Sequence, residues 1–445
     1  MNFLIKKFSS IISISSLLIL IYIFYKSEIV WEGNNRGYYK YYYLISSIFL
    51  LFSICTFFIN NKIKEYLIIS LATIVFSLYL FEGYLTFKNF TKKQFDNIRL
   101  SRIQLYEEQT DKKWDKRDKF EIYYDLKKKN KNITVNYHAS YIVRRNLSFP
   151  IIPLSGLSNS KTIHCNENSY YSIYQSDRYG FNNPDEEWDE KEIEYLVIGD
   201  SFVHGACVNR PNDISSVLRN LSNKPALNLG ISGNGPLIEY ATLREYLGKN
   251  VKKVLWVYFE GNDFSDLNNE KENNILINYL KDLNFTQNLK LKQNEINDIV
   301  INIIKKKEKR EIFKFELIKF IKIYNTRISI FPQPEPETPK FEFKKILQSA
   351  KELTEKNDTK LFFVYLPEYS YYKSNSGNKN YNLIKNIVSE LKIPFIDIHK
   401  EVLEKEQNPL KLYPFELSGH FNVEGYKKVA ETIYEFTKDY YYETK

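Results

Sequence analysis

The chain has 445 residues, 63 Lys and Arg against 54 Asp and Glu for a formal net charge of +9, and only three cysteines. That length exceeds one ordinary compact unit, and three cysteines exclude a disulfide-built scaffold. The positive residues are mostly Lys dispersed among Asn, Ile, Tyr and acidic residues, with no nucleic-acid-binding motif, so nucleic acid is excluded as a partner; Lys127-Lys128-Lys129 and Lys305-Lys306-Lys307 read as solvated surface.

The first ninety residues hold almost all the long apolar runs. Phe8 to Tyr25, Tyr41 to Ile59 and Tyr66 to Phe87 each approach the roughly 20 residues that a helix needs to cross a bilayer. No small-x-small cleavage site follows the first run, and two more runs do, so retention as an anchor is expected rather than removal as a signal peptide. Lys6 and Lys7 before the first span, and Asn60-Asn61-Lys62-Ile63-Lys64 between the second and third, place the N-terminus in the cytoplasm; Lys88, Lys92 and Lys93 weaken the asymmetry. Three crossings then deliver the rest of the chain to the periplasmic or extracellular side, with the lipid bilayer as a partner. Tyr38 to Tyr43 suit an interfacial aromatic belt, and Glu82, near the outer end of the third span, is expected to snorkel. Cys55 reads as an inert residue of the membrane region.

Residues 91 to 190 alternate Tyr, Ile and Val with polar residues and suggest a β-containing extension. From Glu194 the pattern becomes short apolar runs, each followed by a polar turn and a helical stretch, as in an α/β domain with a parallel sheet. Strands are expected at Tyr195 to Ile198, Ala226 to Leu229, Val254 to Phe259, Leu361 to Tyr365 and Pro394 to Ile398. Helices are expected at Ser215 to Leu221, Ile238 to Leu247, Phe343 to Glu355, Asn382 to Leu391 and Val423 to Lys438. Residues 270 to 342 read as a charged helical insertion, either a lid or a plain surface excursion, ending in Pro332-Gln333-Pro334-Glu335-Pro336-Glu337-Thr338-Pro339. Three segments result: an anchor over 1–90, the extension over 91–190 and a catalytic domain over 191–445.

The sharpest local feature is Gly199-Asp200-Ser201-Phe202 directly after a strand. A Ser leaving the carboxyl end of a strand and entering a helix N-terminus sits where open α/β sheets bind ligands, although alone it could be a helix cap. Three further blocks follow: Asn228-Leu229-Gly230-Ile231-Ser232-Gly233-Asn234, Glu260-Gly261-Asn262-Asp263, and Ser418-Gly419-His420-Phe421-Asn422 with Gly425. In order and spacing these blocks resemble the SGNH/GDSL hydrolase superfamily over roughly residues 176 to 440. The run Asp177-Arg178-Tyr179-Gly180-Phe181-Asn182-Asn183-Pro184 resembles the lead-in of extracytoplasmic members.

The resemblance implies a three-layer α/β/α domain, with Ser201 as nucleophile, His420 as base and Ser201, Gly233 and Asn262 as oxyanion donors. The physical need is general: a Ser hydroxyl requires a neighbouring base, and the oxyanion formed on an ester carbonyl requires fixed donors. Asp200 is expected to fix the turn. Members usually place an Asp two or three residues before the catalytic His, whereas here Leu417 and Ser418 stand there, so Glu416 or a backbone carbonyl is the expected orienting group. His204 is a candidate substrate contact or a packing residue, and His138, His164 and His399 read as structural. Cys165 and Cys207 either remain buried thiols or pair, closing a loop of about 43 residues at a gain of roughly 4 kcal/mol. No His, Cys and carboxylate spacing suggests a metal, and no cofactor is expected.

Three functions fit these residues. One is a serine esterase acting outside the cytoplasm on an acylated cell-envelope or exported glycan. Another is an O-acyltransferase using the same residues, and the last is a non-catalytic glycan-binding or envelope-assembly protein.

Overall fold

The computed structural model describes residues 2–31, 33, 36–94, 97–308, 312–332 and 336–440. Gln333, Pro334 and Glu335 of the proline-rich loop, and the side chains of Lys92, Lys93 and Lys307, lie outside the described residues. The chain forms two compact units, Met1–Phe95 with Glu311–Glu335, and Asp96–Arg310 with Pro336–Lys445.

In the first unit, three helical stretches, Phe3–Val30, Arg36–Phe58 and Asn61–Asn89, are long and apolar enough to cross a membrane. The Ser9 hydroxyl donates to the Thr56 carbonyl at 2.9 Å and ties the first to the end of the second. The third carries Glu82, whose exposure is 0%. One carboxylate oxygen accepts from the Asn325 backbone N–H at 3.1 Å and its side-chain amide at 2.9 Å. The other accepts from the Thr326 N–H at 2.8 Å and hydroxyl at 2.9 Å. Glu82 therefore does not snorkel: it accepts from the start of helix Tyr324–Ile330, where orphan backbone donors need a partner. This half of the insertion, helices Ile312–Ile321 and Tyr324–Ile330, belongs to the unit of the apolar helices.

The second unit is built on a parallel sheet of strands β4 (Ile193–Gly199), β5 (Ala226–Asn228), β6 (Val251–Phe259), β7 (Lys360–Leu366) and β8 (Phe395–Asp397), ordered β5-β4-β6-β7-β8. The sequence is apolar at successive strand positions because both faces are covered. On β6, Val254, Trp256 and Tyr258 enter one core while Leu255 and Val257 enter the other. Helices Pro236–Tyr246, Lys340–Lys356 and Tyr381–Glu390 supply the first core; Ile214–Ser222 and Val423–Thr437 supply the second. The result is the expected α/β/α domain. The sheet order reverses at β4, which opens a crevice at the carboxyl ends of β4 and β6.

Residues 97–190 contain more helix than their alternation suggests. They form helices Asn97–Thr110, Lys119–Lys129 and Ser140–Arg144 around a small sheet of β1 (Ile133–Val135), β2 (Lys161–Ile163) and β3 (Ile173–Gln175), with β1 parallel to β2 and β2 antiparallel to β3. A capping box, Asp118 with Glu121, starts the second helix. Ile122, Val135, Ile142 and Ile163 share one core with Leu196 and Trp256, so this segment packs as part of the α/β domain and forms one wall of its crevice.

Candidate active site

β4 delivers Ser201 to the crevice. Asp200 caps the short helix Ser201–His204 by accepting the Phe202 N–H at 2.9 Å, and its other oxygen lies 3.2 Å from Ser201 Oγ. Asp200 thus fixes the turn. Burial raises its carboxyl above the ordinary aspartate value.

Ser201 Oγ lies 2.9 Å from Nε2 of His420, 219 residues away in sequence. The imidazole is oriented by Glu167, not by Glu416. Glu167 Oε1 lies 3.2 Å from His420 Nδ1, and Oε2 accepts the His420 backbone N–H at 2.9 Å. With Nδ1–H given to the carboxylate, Nε2 presents its lone pair to the Ser201 hydroxyl. Arg102 Nη2 stands 3.4 Å from Glu167 Oε2 and donates to the Ser418 carbonyl at 2.6 Å, pinning both sides of the contact. Burial alone would raise the Glu167 carboxyl; the hydrogen bond and charge of His420, with Arg102, outweigh it and hold it below the ordinary value.

Glu416 and Ser418 are exposed. Glu416 uses its backbone carbonyl to accept the Tyr369 hydroxyl at 2.8 Å, and Ser418 contributes only the carbonyl held by Arg102. Gly419 is what lets the acid arrive from outside the loop: a Cβ there would strike Arg102 Nη2 and Glu167 Oε2.

The Gly233 turn is held by histidines that local motifs do not reveal. Gly233 has φ +76°, and a Cβ would come 2.9 Å from Ser140 Oγ, so glycine alone suits the turn. Its neighbour Ser232 is gripped by three imidazoles. His138 Nδ1 donates to the Ser232 carbonyl at 2.6 Å, His164 Nε2 lies 2.8 Å from Ser232 Oγ, and His204 Nδ1 accepts the Ser232 N–H at 3.1 Å. His204 also meets the Tyr174 hydroxyl at 2.9 Å and is fully buried, so it supports the loop and is not a substrate contact. Burial, followed by the nearby His138, Lys119 and His420, lowers its value to about 3 and keeps it neutral. His399 lies apart from this cluster, with Tyr372 and Glu404.

Asn262 follows the end of β6 and is the N-cap of helix Asp263–Glu270. Its amide nitrogen gives one N–H to Asp266 at 2.9 Å, which fixes the side chain and leaves the second N–H available as a donor. Asp266 is in turn held by Arg144.

A disulfide joins Cys165 to Cys207. It ties the segment two residues before Glu167 to the one just past the Ser201 helix, linking Glu167 to the Ser201 side of the crevice. Among the described residues, one group has metal-ligand proximity, Glu167, Cys207 and His420. Cys207 is spent in the disulfide and the other two face each other, so this set does not suit a metal.

Beside Ser201 and His420 opens a cleft of about 470 Å³, lined also by Gly233, Ser140, Tyr141 and Arg145. That volume suits a sugar-sized ligand.

No protein-family model and no curated protein sequence matches the chain. Among solved structures, the chain is similar over 55% of its length to 99% of a protein assigned to the G-D-S-L lipolytic family from Desulfitobacterium hafniense, at 16% identity and a TM-score of 0.32. It is similar over 55% of its length to the whole of the acetyl xylan esterase AlAXEase, at 15% identity and a TM-score of 0.33. A third, assigned as an acylhydrolase from Bacteroides fragilis, is matched over 57% of this chain and 89% of its own, at 14% identity and a TM-score of 0.30.

Proposed function

We propose that the chain is a membrane-anchored SGNH/GDSL-type serine hydrolase that cleaves acyl esters of a cell-envelope or exported glycan through Ser201. The observation that carries the reading is the relay from Ser201 Oγ to His420 Nε2 at 2.9 Å and from His420 Nδ1 to Glu167 at 3.2 Å, beside the Gly233 turn.

In this reading, His420 takes the hydroxyl proton as Ser201 Oγ attacks the ester carbonyl. The imidazolium so formed is stabilised by Glu167. Negative charge on the former carbonyl oxygen is met by the Ser201 and Gly233 N–H groups and the Asn262 amide, donors that are worth about 100- to 1000-fold each in comparable sites. His420 returns its proton to the departing sugar oxygen, leaving the acyl group on Ser201. A water, activated by the same imidazole, then releases the acid. The three apolar helices, with basic residues at Lys6, Lys7, Lys62 and Lys64, support an outward-facing active site.

The test uses the full chain in detergent with p-nitrophenyl acetate, with and without acetylated and free glycans. Ser201→Ala is expected to lower turnover at least about 1000-fold while the far-UV spectrum and melting temperature are retained. Acetate appearing on an added glycan instead of in solution would make the activity a transferase. Equal turnover by wild type and Ser201→Ala would overturn serine catalysis and leave the binding role.

A further inference from the structure

The wall of the cleft contributed by residues 97–190 is cationic. Lys119, Arg144 and Arg145 all line it, and among the described residues the lining contains no Asp or Glu. These three come from two separate helices, Lys119–Lys129 and Ser140–Arg144 with its C-cap Arg145, which the fold brings to the same edge as Ser201 and Gly233. We infer that the ester cleaved at Ser201 belongs to an anionic glycan, one that carries a carboxylate or phosphate on or next to the acylated sugar. This rests on the hydrolase reading above.

Each cation is held in place by its neighbours. Lys119 Nζ donates to Asn136 Oδ1 at 2.6 Å, Asn136 Nδ2 lies 2.9 Å from His138 Nε2, and His138 reaches the Ser232 carbonyl. The positive end of this chain is therefore rigidly joined to the turn that presents the Gly233 N–H. Arg144 is anchored beneath by Asp266, whose side chain is 2% exposed, yet Arg144 itself remains 53% exposed and keeps guanidinium N–H groups for a ligand. The Arg145 guanidinium lies over the Tyr141 ring, 4.6 Å from its centroid, which leaves its edge to form a paired contact with a carboxylate or phosphate.

A crevice walled by one sign of charge concentrates ligands of the other sign and orients them before any contact is made. A neutral acylated glycan gains nothing from this charge beyond the support that Lys119 and Arg144 give Asn136 and Asp266. An anionic one uses them to set which ester oxygen approaches Ser201. Asp266 gives the arrangement a second consequence, since the carboxylate that anchors Arg144 also holds Asn262. The basic wall and the oxyanion amide thus share one support.

The experiment compares kcat/KM of the full chain for three substrates: an O-acetylated oligogalacturonide, an acetylated oligomer of glycerol phosphate and a neutral O-acetylated xylo-oligosaccharide. An anionic substrate is expected to be favoured by about tenfold or more at low salt, with the advantage shrinking by 0.5 M NaCl as the charges are screened. Preference for the uronate or for the phosphodiester identifies which anion is read. Arg145→Glu should lower the ratio of anionic to neutral kcat/KM by about tenfold, with both proteins melting at the same temperature.

Equal kcat/KM on all three substrates, or a ratio that Arg145→Glu and salt leave unmoved, would overturn the inference with the hydrolase reading intact. Failure to turn over any ester would instead sink the hydrolase reading. In that case, calorimetric binding of the deacetylated oligogalacturonide and the glycerol phosphate oligomer to Ser201→Ala decides the charge question: salt-sensitive binding of either sustains it, and no binding of either ends it.

Discussion

The two halves of the proposed catalytic centre are assembled in opposite ways. On the nucleophile side, strand, turn, capping Asp200, Ser201 and the start of the helix are contiguous in the chain. On the base side, His420 depends on Glu167, 253 residues earlier, and on Arg102, 316 residues before the Ser418 carbonyl that it holds. The contiguous half is set by local backbone geometry. The other exists only after the segment over 97–190 has packed onto the sheet, so the orienting acid is a tertiary feature and its loss should be separable from loss of the nucleophile.

The largest effect short of Ser201 itself is expected at Glu167. Replacing it by Gln keeps the shape but offers Nδ1 no carboxylate, allowing the imidazole to adopt the tautomer that cannot accept the Ser201 proton; kcat should fall about 100- to 10,000-fold. KM for a small ester should change little, because Glu167 does not touch it. Glu416→Gln, in contrast, should retain nearly full turnover. A reversal of these two outcomes would return the acid role to the loop around His420. Gly419→Ala provides an independent probe, since its methyl group occupies the space used by Glu167 and Arg102.

Next in size is the imidazole cluster. His204 is neutral in the fold, with a value of about 3 against an ordinary 6.5, because burial penalises its charge. A group whose folded value is depressed contributes stability that is fully present above the unfolded value and is lost as pH falls towards the folded one. Melting temperature should therefore decline as pH drops from 6.5 towards 3 in the wild type. His204→Gln, which keeps an acceptor for the Ser232 N–H without a titrating ring, should flatten that decline and lower kcat about tenfold through a looser Gly233 turn. An unchanged acid profile in His204→Gln would show that this imidazole does not control the loop.

A smaller effect is expected from the disulfide. Cys165→Ser with Cys207→Ser frees the segment two residues before Glu167, and should cost roughly 4 kcal/mol by the loop-entropy argument. Below the lowered melting temperature kcat should fall only severalfold, because Arg102 and the His420 N–H still hold the acid. Thiol titration under denaturing conditions would confirm that the wild type exposes only Cys55. Full kcat in the double variant would limit the bridge to stability.

Much of this was legible in the chain itself. Each expected strand of the sheet lies within a few residues of an observed one, because apolar runs bounded by polar turns have few alternatives. The meeting of Ser201 with His420 was legible for a related reason, since a serine nucleophile would need a base, and the two side chains lie 2.9 Å apart. Glu167 was not: it sits in an Asn-rich loop with no pattern of its own, and its meaning comes from what it meets. One signal did point to it. The pairing of Cys165 with Cys207, one of the two readings open to these cysteines, brings Glu167 to the Ser201 side. His138 and His164, expected to be structural, are so, but the turn they hold at Ser232 was not legible, because they reach it from separate segments and with no sequence spacing. The extension's helices were hidden by alternation that resembles strands, until Asp118 and Glu121 are read as a cap.

Glu82 sharpens what distinguishes Glu167, because both are glutamates largely shielded from solvent that meet several donors. Among the described residues, Glu82 accepts from the backbone and side chains of Asn325 and Thr326, none of which moves a proton, whereas Glu167 meets a titratable ring that touches Ser201. Glu82→Ala should leave two backbone N–H groups unsatisfied at the start of helix Tyr324–Ile330 and cost about 1 to 3 kcal/mol for each buried donor that finds no new partner. The expected result is a lower melting temperature in detergent with kcat for p-nitrophenyl acetate unchanged, the reverse of Glu167→Gln. Glu82→Gln, which still offers one acceptor oxygen, should recover part of the loss. If Glu82→Ala abolished turnover at temperatures where the protein stays folded, the chemistry of the contacting groups would no longer separate a supporting carboxylate from a catalytic one.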